Sequence, residues 1–405
     1  MFNPVALESC SSYEYSTVKK SLDQAIADID GLSFVKPGMK IAIKANLVSA
    51  MAPEKAVTTH PALLKRLCEL ITEKGATVII GDSPGGLYTP SFVRNVYKSC
   101  GLLDLEKEFD KKVTLNDDYS IKNASYAGKS LKNFIYTGWL SNVDAIINFS
   151  KLKTHAMMGM SCAVKNMFGT IPGTTKPEYH MLFPNETDFA NVMIDLNEFF
   201  KPDLYIVDAI DGMEGNGPTA GEKRHIGAVL ASKRPYALDM VCADLIGMTI
   251  KDVPTLRVAF ENGLGPESIA EVKIVGGLSP SLAKIPDFKR ATIHQSITFD
   301  GDGFINHMKS AALKLAFNTK PQVKKSECIG CKKCYETCPA NAITMVPYKK
   351  ASKGNSPNQG ATRNISIPSI DRSKCIKCFC CQEFCPKGAM KVQENIIGKV
   401  LRKIK

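Results

Sequence analysis

Two stretches near the end of the chain repeat one cysteine spacing, and no other feature restricts the fold so severely. The first reads Cys328-x2-Cys331-x2-Cys334-x3-Cys338-Pro339 and the second Cys375-x2-Cys378-x2-Cys381-x3-Cys385-Pro386. Three thiolates at this spacing wrap one face of a cubane cluster, because a tight turn aims all three sulfurs inward. The fourth cysteine, set before proline, ligates the cluster held by the other run. The pattern predicts Cys328, Cys331, Cys334 and Cys385 on one 4Fe-4S cluster, and Cys375, Cys378, Cys381 and Cys338 on the other. Neither half can then be filled correctly without its mate. A single C-x2-C would suit zinc or thiol redox chemistry, but tetrahedral zinc has no need of four cysteines in a doubled pattern. Ala342-Ile343 against Ala389-Met390 completes an internal repeat. Cys380, wedged between Cys378 and Cys381, reads as a spare thiol packed beside the cluster, the alternative being a redox role or ligand exchange.

This cysteine-rich part resembles the bacterial two-cluster ferredoxins at every ligand position. The resemblance implies a small α+β ferredoxin-like domain, taken as residues 321–405. A chain of 405 residues is too long for that module alone, so residues 1–320 are expected to form a separate domain. Hydrophobic content of 44% and charged content of 23% are ordinary for a soluble globular protein. The sequence shows no basic region followed by an apolar run of signal-peptide type and no apolar stretch long enough to span a bilayer. Cluster thiolates must stay reduced, which favours a cytoplasmic setting. Cys10, Cys68, Cys100, Cys162 and Cys242 are scattered and read as small core residues.

The formal charge of +12 leaves out the clusters, each about −2 with four thiolates in the oxidised state. The balance stays basic, so acidic partners are expected: a soluble redox protein, an anionic small molecule or a lipid surface. Nucleic acid is not expected, because no recognition motif and no aromatic-basic interleaving is present.

Before the cysteines, short apolar runs alternate with helical patterns. Residues 40–48, 77–81, 145–149, 204–207 and 227–231 read as strands. Residues 61–74, 91–99, 188–200 and 235–247 read as helices, the first opening on Pro61 with Thr59 or His60 at its cap. This alternation predicts a doubly wound α/β domain with a mostly parallel sheet covered on both faces. In such sheets ligands lie beyond the carboxyl ends of the strands, and polar residues gather there: Lys44 and Asn46, then Asp82 to Gly86, then residues 150–155, then Asp208 and Asp211.

The segment from Lys151 to His180 is the densest in chemistry-bearing residues. Lys151, Lys153 and Lys165 are expected to hold an anion, with Asn166 beside them, and His155 to move a proton, with His180 a second candidate. The competing reading has the lysines solvated and both histidines structural. Residues 211–218 form a glycine-rich, acidic loop that lacks the P-loop lysine, the GxGxxG fingerprint and the EF-hand pattern. Its glycines would admit backbone amides to a ligand, or serve a tight connection. Asp208 and Asp211 are candidates to bind a cation or orient a lysine. His294 and His307 read as structural.

Together, Lys151-x-Lys153-Thr154-His155, Lys165-Asn166-x-x-Gly169, Asp82-Ser83-Pro84-Gly85 and Asp208-Ala209-Ile210-x-Gly212-Met213-Glu214-Gly215-x-Gly217-Pro218 resemble the domain of unknown function 362 family over residues 40–247. The resemblance implies an iron-sulfur protein with no agreed reaction in its core, and members often carry a two-cluster module. Residues 278–320 read as a linker. Residues 343–346 and 365–367 are expected to pair as a hairpin. The lysine- and glycine-rich stretch 347–364 between them is either a mobile excursion or a dock for an acidic partner. Residues 394–405 are expected to form a helix packed on the large domain, with membrane contact as the alternative.

Two functions follow. One is a reductase that passes single electrons through two clusters to an anionic substrate or cofactor in the α/β domain. The other is a ferredoxin-like carrier in which that domain is a docking or binding module. No flavin or nicotinamide motif is legible, which leaves a further cofactor open.

Overall fold

The computed structural model describes residues 4–173, 175–291, 320–351, 362–376 and 378–393. His294, His307, the rest of the linker at 292–319, the excursion at 352–361 and the tail at 394–405 lie outside the described residues.

In order, the large domain runs β1 (Val5–Ser9), α1 (Tyr15–Ala27), β2 (Lys40–Lys44), α2 (Pro61–Glu73), β3 (Thr77–Gly81), α3 (Pro90–Ser99), α4 (Leu103–Glu108) and β4 (Val113–Leu115). A hairpin of β5 (Ile121–Ser125) and β6 (Asn133–Thr137) follows, then β7 (Ala145–His155), β8 (Gly159–Ser161), α5 (Ala163–Asn166), α6 (Lys176–Leu182) and α7 (Glu186–Phe200). The remainder is β9 (Leu204–Glu214), β10 (Glu222–Ser232), α8 (Pro235–Leu245), α9 (Pro254–Glu261) and β11 (Ile274–Val275).

The main sheet has the order β11-β1-β10-β9-β7-β2-β3-β4, with β8 added antiparallel to β7. From β9 to β4 every neighbour is parallel, whereas β10 runs antiparallel to both β9 and β1. The parallel strands read as continuous apolar runs, such as Ile41–Ile43 and Val78–Ile80, because both faces are covered. On one face α1, α2 and α3 pack Leu22, Leu63, Leu67 and Val96 against Ile41, Ile43, Val78 and Ile80. On the other, α8 brings Leu238 and Val241 to Val5, Leu7 and Val207, while Trp139 covers Ala42 and Ile79.

Helix ends follow their sequence signals. Pro61 occupies the first turn of α2, and His60 caps it by accepting from the Ala62 N–H at 3.2 Å. Asn185 caps α7 through the Asp188 N–H at 2.7 Å.

Four strand expectations change: β2 stops at Lys44 short of residue 48, and β10 starts at Glu222 ahead of residue 227. β7 continues past Phe149 to His155, and β9 past Val207 to Glu214. Residues 150–155 are therefore strand, and the first part of the glycine-rich stretch, through Glu214, belongs to a ladder with β10. A polar strand end of this kind survives burial only when its charges find partners, and they do so below. β1 and α1 carried no sequence expectation.

The C-terminal module is small and pseudo-symmetric. β12 (Lys320–Val323) pairs with β15 (Met390–Gln393), and β13 (Ile343–Ala351) with β14 (Thr362–Ile370), both antiparallel. The expected hairpin is present and longer than its apolar kernels, with Val346 opposite Ile367. Matching short helices, Lys333–Glu336 and Cys380–Glu383, each follow a residue in the left-handed region, Lys332 (φ 62°) and Phe379 (φ 59°).

Candidate functional site

The parallel part of the sheet changes direction between β2 and β7. From β2 the chain proceeds outward through β3 to β4, and then returns to the opposite side of β2 for β7 and β9. Beyond strand ends at such a reversal a crevice opens, since the two flanking connections leave on opposite faces. Here a pocket of about 560 Å³ lies at the ends of β2 and β3 and beside the turn from β8 into α5. Lys44, Asn46, Asp82, Lys165, Asn166 and His180 line it.

Its floor is a closed hydrogen-bond chain. Lys44 Nζ pairs with Asp82 Oδ1 at 2.8 Å and donates to Asn166 Oδ1 at 2.9 Å. Asn46 Nδ2 donates to the same Asn166 oxygen at 2.9 Å, and Lys153 Nζ donates to Asn46 Oδ1 at 2.6 Å. Asp82 also accepts the N–H groups of Leu47 and Ser83. Burial pulls the Lys44 ammonium down from its usual range and Asp82 opposes that shift. Gly169 passes so close that a Cβ there would strike Asp82 Oδ1 and the Lys44 side chain.

The walls carry cations with less company. α5 is held by Asp239, whose carboxylate accepts from the Ala163 N–H at 2.8 Å and the Val164 N–H at 3.1 Å. That cap aims Lys165 into the pocket, where its ammonium has no hydrogen-bond partner among the described residues. Burial lowers the Lys165 pKa, with Glu383 and then Cys380 acting the other way. Lys176, at the start of α6, donates to the Ser83 carbonyl, and burial brings it down to about 8. His180 stacks on Phe189 at 4.4 Å, its Nδ1 has no partner among the described residues, and burial takes it down to about 3. It is a neutral imidazole at physiological pH.

Three lysines (Lys44, Lys165, Lys176) and two acids (Asp82, Glu383) line this pocket. Since Lys44 and Asp82 neutralise each other, Lys165 and Lys176 face Glu383 alone, an excess of one positive charge.

Not every expected residue reaches it. Lys151 is consumed elsewhere: its ammonium pairs with Asp208 Oδ2 at 2.8 Å and lies 2.7 Å from the Tyr13 hydroxyl. Tyr13 in turn stacks on His60 at 3.6 Å. Asp208 also accepts the His60 N–H, so Lys151 and Asp208 lock β7 and β9 to the loop after β1. Asp211 pairs with Lys223 and His225 across the β9–β10 ladder. His155 is buried behind the wall, its Nδ1 accepting the Met157 and Met158 N–H groups, and burial holds its pKa well below the usual histidine value. His155 is not among the residues that line the pocket. Lys153, brought down to about 7 by burial, acts on the pocket through Asn46.

The roof comes from the C-terminal module, which no sequence signal indicated. Glu383 and Phe384 close the pocket, and Phe384 lies on Gly85 so tightly that a Cβ at that glycine would overlap its ring. The connection between β9 and β10 holds the same helix: Thr219 Oγ1 donates to the Glu383 carbonyl at 2.8 Å, and Gln382 Nε2 to the Asn216 carbonyl at 3.1 Å. That glycine-rich connection is thus a dock for the module.

Within the module the eight cysteines surround two cavities. Cys328, Cys331, Cys334 and Cys385 line one of about 360 Å³, and Cys338, Cys375, Cys378 and Cys381 one of about 330 Å³. Burial pushes the Cys334 thiol up to about 12, and Cys331, Cys385 and Cys328 add to the shift. Such crowding disfavours bare thiolates, so four of them can share this space only with a cationic core to offset their charge. The N–H of Ala342 donates to Cys338 Sγ at 3.2 Å, and that of Ala389 to Cys385 Sγ at 3.1 Å. Such N–H···S bonds orient the sulfurs and favour added negative charge. Among the described residues no three His, Cys, Asp or Glu side chains converge as a single metal ion requires. Cys380 lines the second cavity and is buried.

Fold and site together define an α/β protein with a mostly parallel sheet, bearing a ferredoxin-like module with two 4Fe-4S clusters and equipped for electron transfer. The module matches a 4Fe-4S dicluster domain over residues 327–389. Residues 41–244 match the family described as "Domain of unknown function (DUF362)", and the chain belongs to that family. A thylakoid-associated protein of Synechocystis sp. is 30% identical over 270 residues, covering 66% of this chain and 81% of its own. Among solved structures, the lactate racemase apoprotein of Thermoanaerobacterium thermosaccharolyticum aligns at 12% identity and a TM-score of 0.37, covering 58% of this chain and 55% of that one. A Thermotoga maritima protein aligns at 10% identity and a TM-score of 0.36, covering 56% of each. The chain thus spans little more than half of either solved relative, and likeness at this level carries no argument about chemistry. No helix among the described residues is long and apolar enough to cross a membrane.

Proposed function

We propose that this protein is an iron-sulfur reductase that delivers electrons to a small anionic ligand held between the sheet and the ferredoxin-like module. The observation that carries the reading is the shared helix Cys380–Glu383. One side of it supplies Cys380 and Cys381 to the second cluster cavity, and its last residue, with Phe384, roofs the cationic pocket. A carrier that only passed charge to other proteins would have no use for a roofed pocket with a spare ammonium beside its cluster.

In this reading Cys328, Cys331, Cys334 and Cys385 hold the first cluster, and Cys375, Cys378, Cys381 and Cys338 the second. When bound, the clusters supply single electrons. Lys165 and Lys176 hold the anionic group, His180 shapes the wall beside them, and the Lys44–Asp82–Asn166 chain fixes the floor. Lys176, near pKa 8, can part with a proton close to neutrality. Lys153 is a positioning residue for Asn46. Phe384 and Phe168 exclude water, which strengthens the charge interactions inside. A cytoplasmic setting suits the thiolates, and fractionation compared with the thylakoid-associated relative would test it.

Native mass spectrometry of protein purified without oxygen tests the reading. Mass beyond two clusters that disappears in Lys165→Gln and Lys176→Gln supports a pocket ligand. A mass accounted for by two clusters, together with cluster potentials unmoved by a panel of small carboxylates and phosphates, overturns it.

A further inference from the structure

We propose that electrons enter through the first cluster, and that the surface around Cys331 is the docking face for an acidic, soluble one-electron carrier. The two cluster cavities differ in surroundings although the repeat is otherwise symmetric. Cys331 is the exposed member among the eight pattern cysteines, the others being buried or half-buried. The charged residues lining its cavity are Lys332 and Lys387, both exposed. Lys350 adds a third ammonium by donating to the Cys328 carbonyl at 2.7 Å. Of the acids near the first run, Glu327 is already engaged by Lys324 at 2.5 Å and Lys391 at 3.4 Å, and Glu336 is exposed at the end of the helix that carries Cys334.

Apolar surface accompanies these lysines: Ile329, which lines the same cavity, is 49% exposed. An apolar centre within a charged rim is how transient protein interfaces are built, and the sign of the rim selects an acidic partner and speeds its approach. The second cavity has no charged residue among its described lining. Its helix is turned toward the large domain, where the Glu383 carbonyl accepts from Thr219 Oγ1 and Gln382 Nε2 donates to the Asn216 carbonyl. One cavity is therefore rimmed by exposed lysines, and the other shares its helix with the roof of the pocket, which gives the pair a direction.

The step moves one electron. The carrier is oxidised by one, the first cluster is reduced by one, and no bond to the protein forms or breaks. The inference rests on the cluster ligation proposed above and not on pocket chemistry. Filling the clusters from outside proceeds whether or not the pocket holds an acceptor, whereas the mass measurement reads the pocket alone.

Fully reduced flavodoxin is the probe, mixed without oxygen with oxidised protein in a stopped-flow instrument while cluster absorbance is followed at several salt concentrations. Steered association gains roughly 10 to 1,000-fold from charge. Lys332→Glu with Lys387→Glu should therefore lower the bimolecular rate at least tenfold at low salt, and added salt should slow the native protein toward the same value. Iron content and absorbance verify that both clusters are present. Should the reversal variant lose a cluster, Lys332→Gln with Lys387→Gln is used instead and should show a smaller loss of the same sign. Lys374→Glu, beside the second cluster run, should leave the rate unchanged. Equal rates in native and reversed proteins, an absent salt dependence, or a larger loss in Lys374→Glu would each overturn the proposal. So would unchanged flavodoxin rates combined with loss of sedimentation on phosphatidylserine vesicles, which would assign the basic face to a lipid surface.

Discussion

Replacing Gly85 by alanine should separate the module from the sheet without touching a ligand cysteine. A Cβ at this position would overlap Phe384 Cε1 and Cδ1 and lie 2.7 Å from Cζ, where ordinary contact begins near 3.4 Å. Phe384 is 8% exposed, so its ring has little free space to move into, and the hydrogen bonds at Gln382 and Glu383 hold the helix just before it. Overpacking of this kind costs about 1–3 kcal/mol, and 1.4 kcal/mol is tenfold in an equilibrium. The docking equilibrium constant should fall by about 5- to 150-fold. Hydrogen exchange across residues 215–221 and 380–385 reads docking directly, and sulfate affinity reads the closed pocket. Gly85→Ala should raise exchange in both segments and weaken sulfate, while iron content stays at two clusters. In a Phe384→Ala background the same substitution has room, so the double-mutant cycle should show strong coupling. Additive effects, or unchanged protection in the single variant, would refute the docking geometry.

Other perturbations address the floor, the cations and the clusters. Asp82→Ala leaves Lys44 buried and unpaired, and urea unfolding should show a loss of about 3–5 kcal/mol. Gly169→Ala, which forces the same pair apart, should destabilise in the same direction. Sulfate affinity should be full below pH 8 and fall as pH rises through about 8, because the Lys176 ammonium loses its proton there; Lys176→Gln should remove that step in a calorimetric titration. Cys380→Ala should retain the iron of both clusters, whereas Cys385→Ala should deplete the first and Cys338→Ala the second, as read by iron analysis and electron paramagnetic resonance.

Much of this arrangement was readable in the chain. β3 falls at residues 77–81 as expected, and the α2 start at Pro61 follows from its cap, because short buried strands and capped helices write themselves in local pattern. The polar ends of β7 and β9 did not read as strand. Lys151, Lys153 and His155 are buried at alternate positions, and a hydropathy pattern cannot tell a lysine whose partner is Asp208 or Asn46 from one in water. Lys44, Asn46 and Asp82, singled out by their place after strand ends, and Lys165, Asn166 and His180, from the chemistry-dense stretch 151–180, all line the pocket. Lys151, Asp208 and Asp211 had the same placement and belong to other contacts, since sequence position fixes the end of the sheet but not the partner taken. Glu383 and Phe384 gave no sign, because a roof contributed across some 300 residues leaves no local trace.

Phe384 stands between Cys381 and Cys385, which line different cavities. Under the proposed ligation, the residue that closes the pocket hangs between attachments to two separate inorganic groups. A chain made in iron-starved cells would possess the pocket's floor and walls and lack a fixed ceiling. Iron loading would then be the final carpentry of the site, and competence to capture the anion would report that both clusters had been installed.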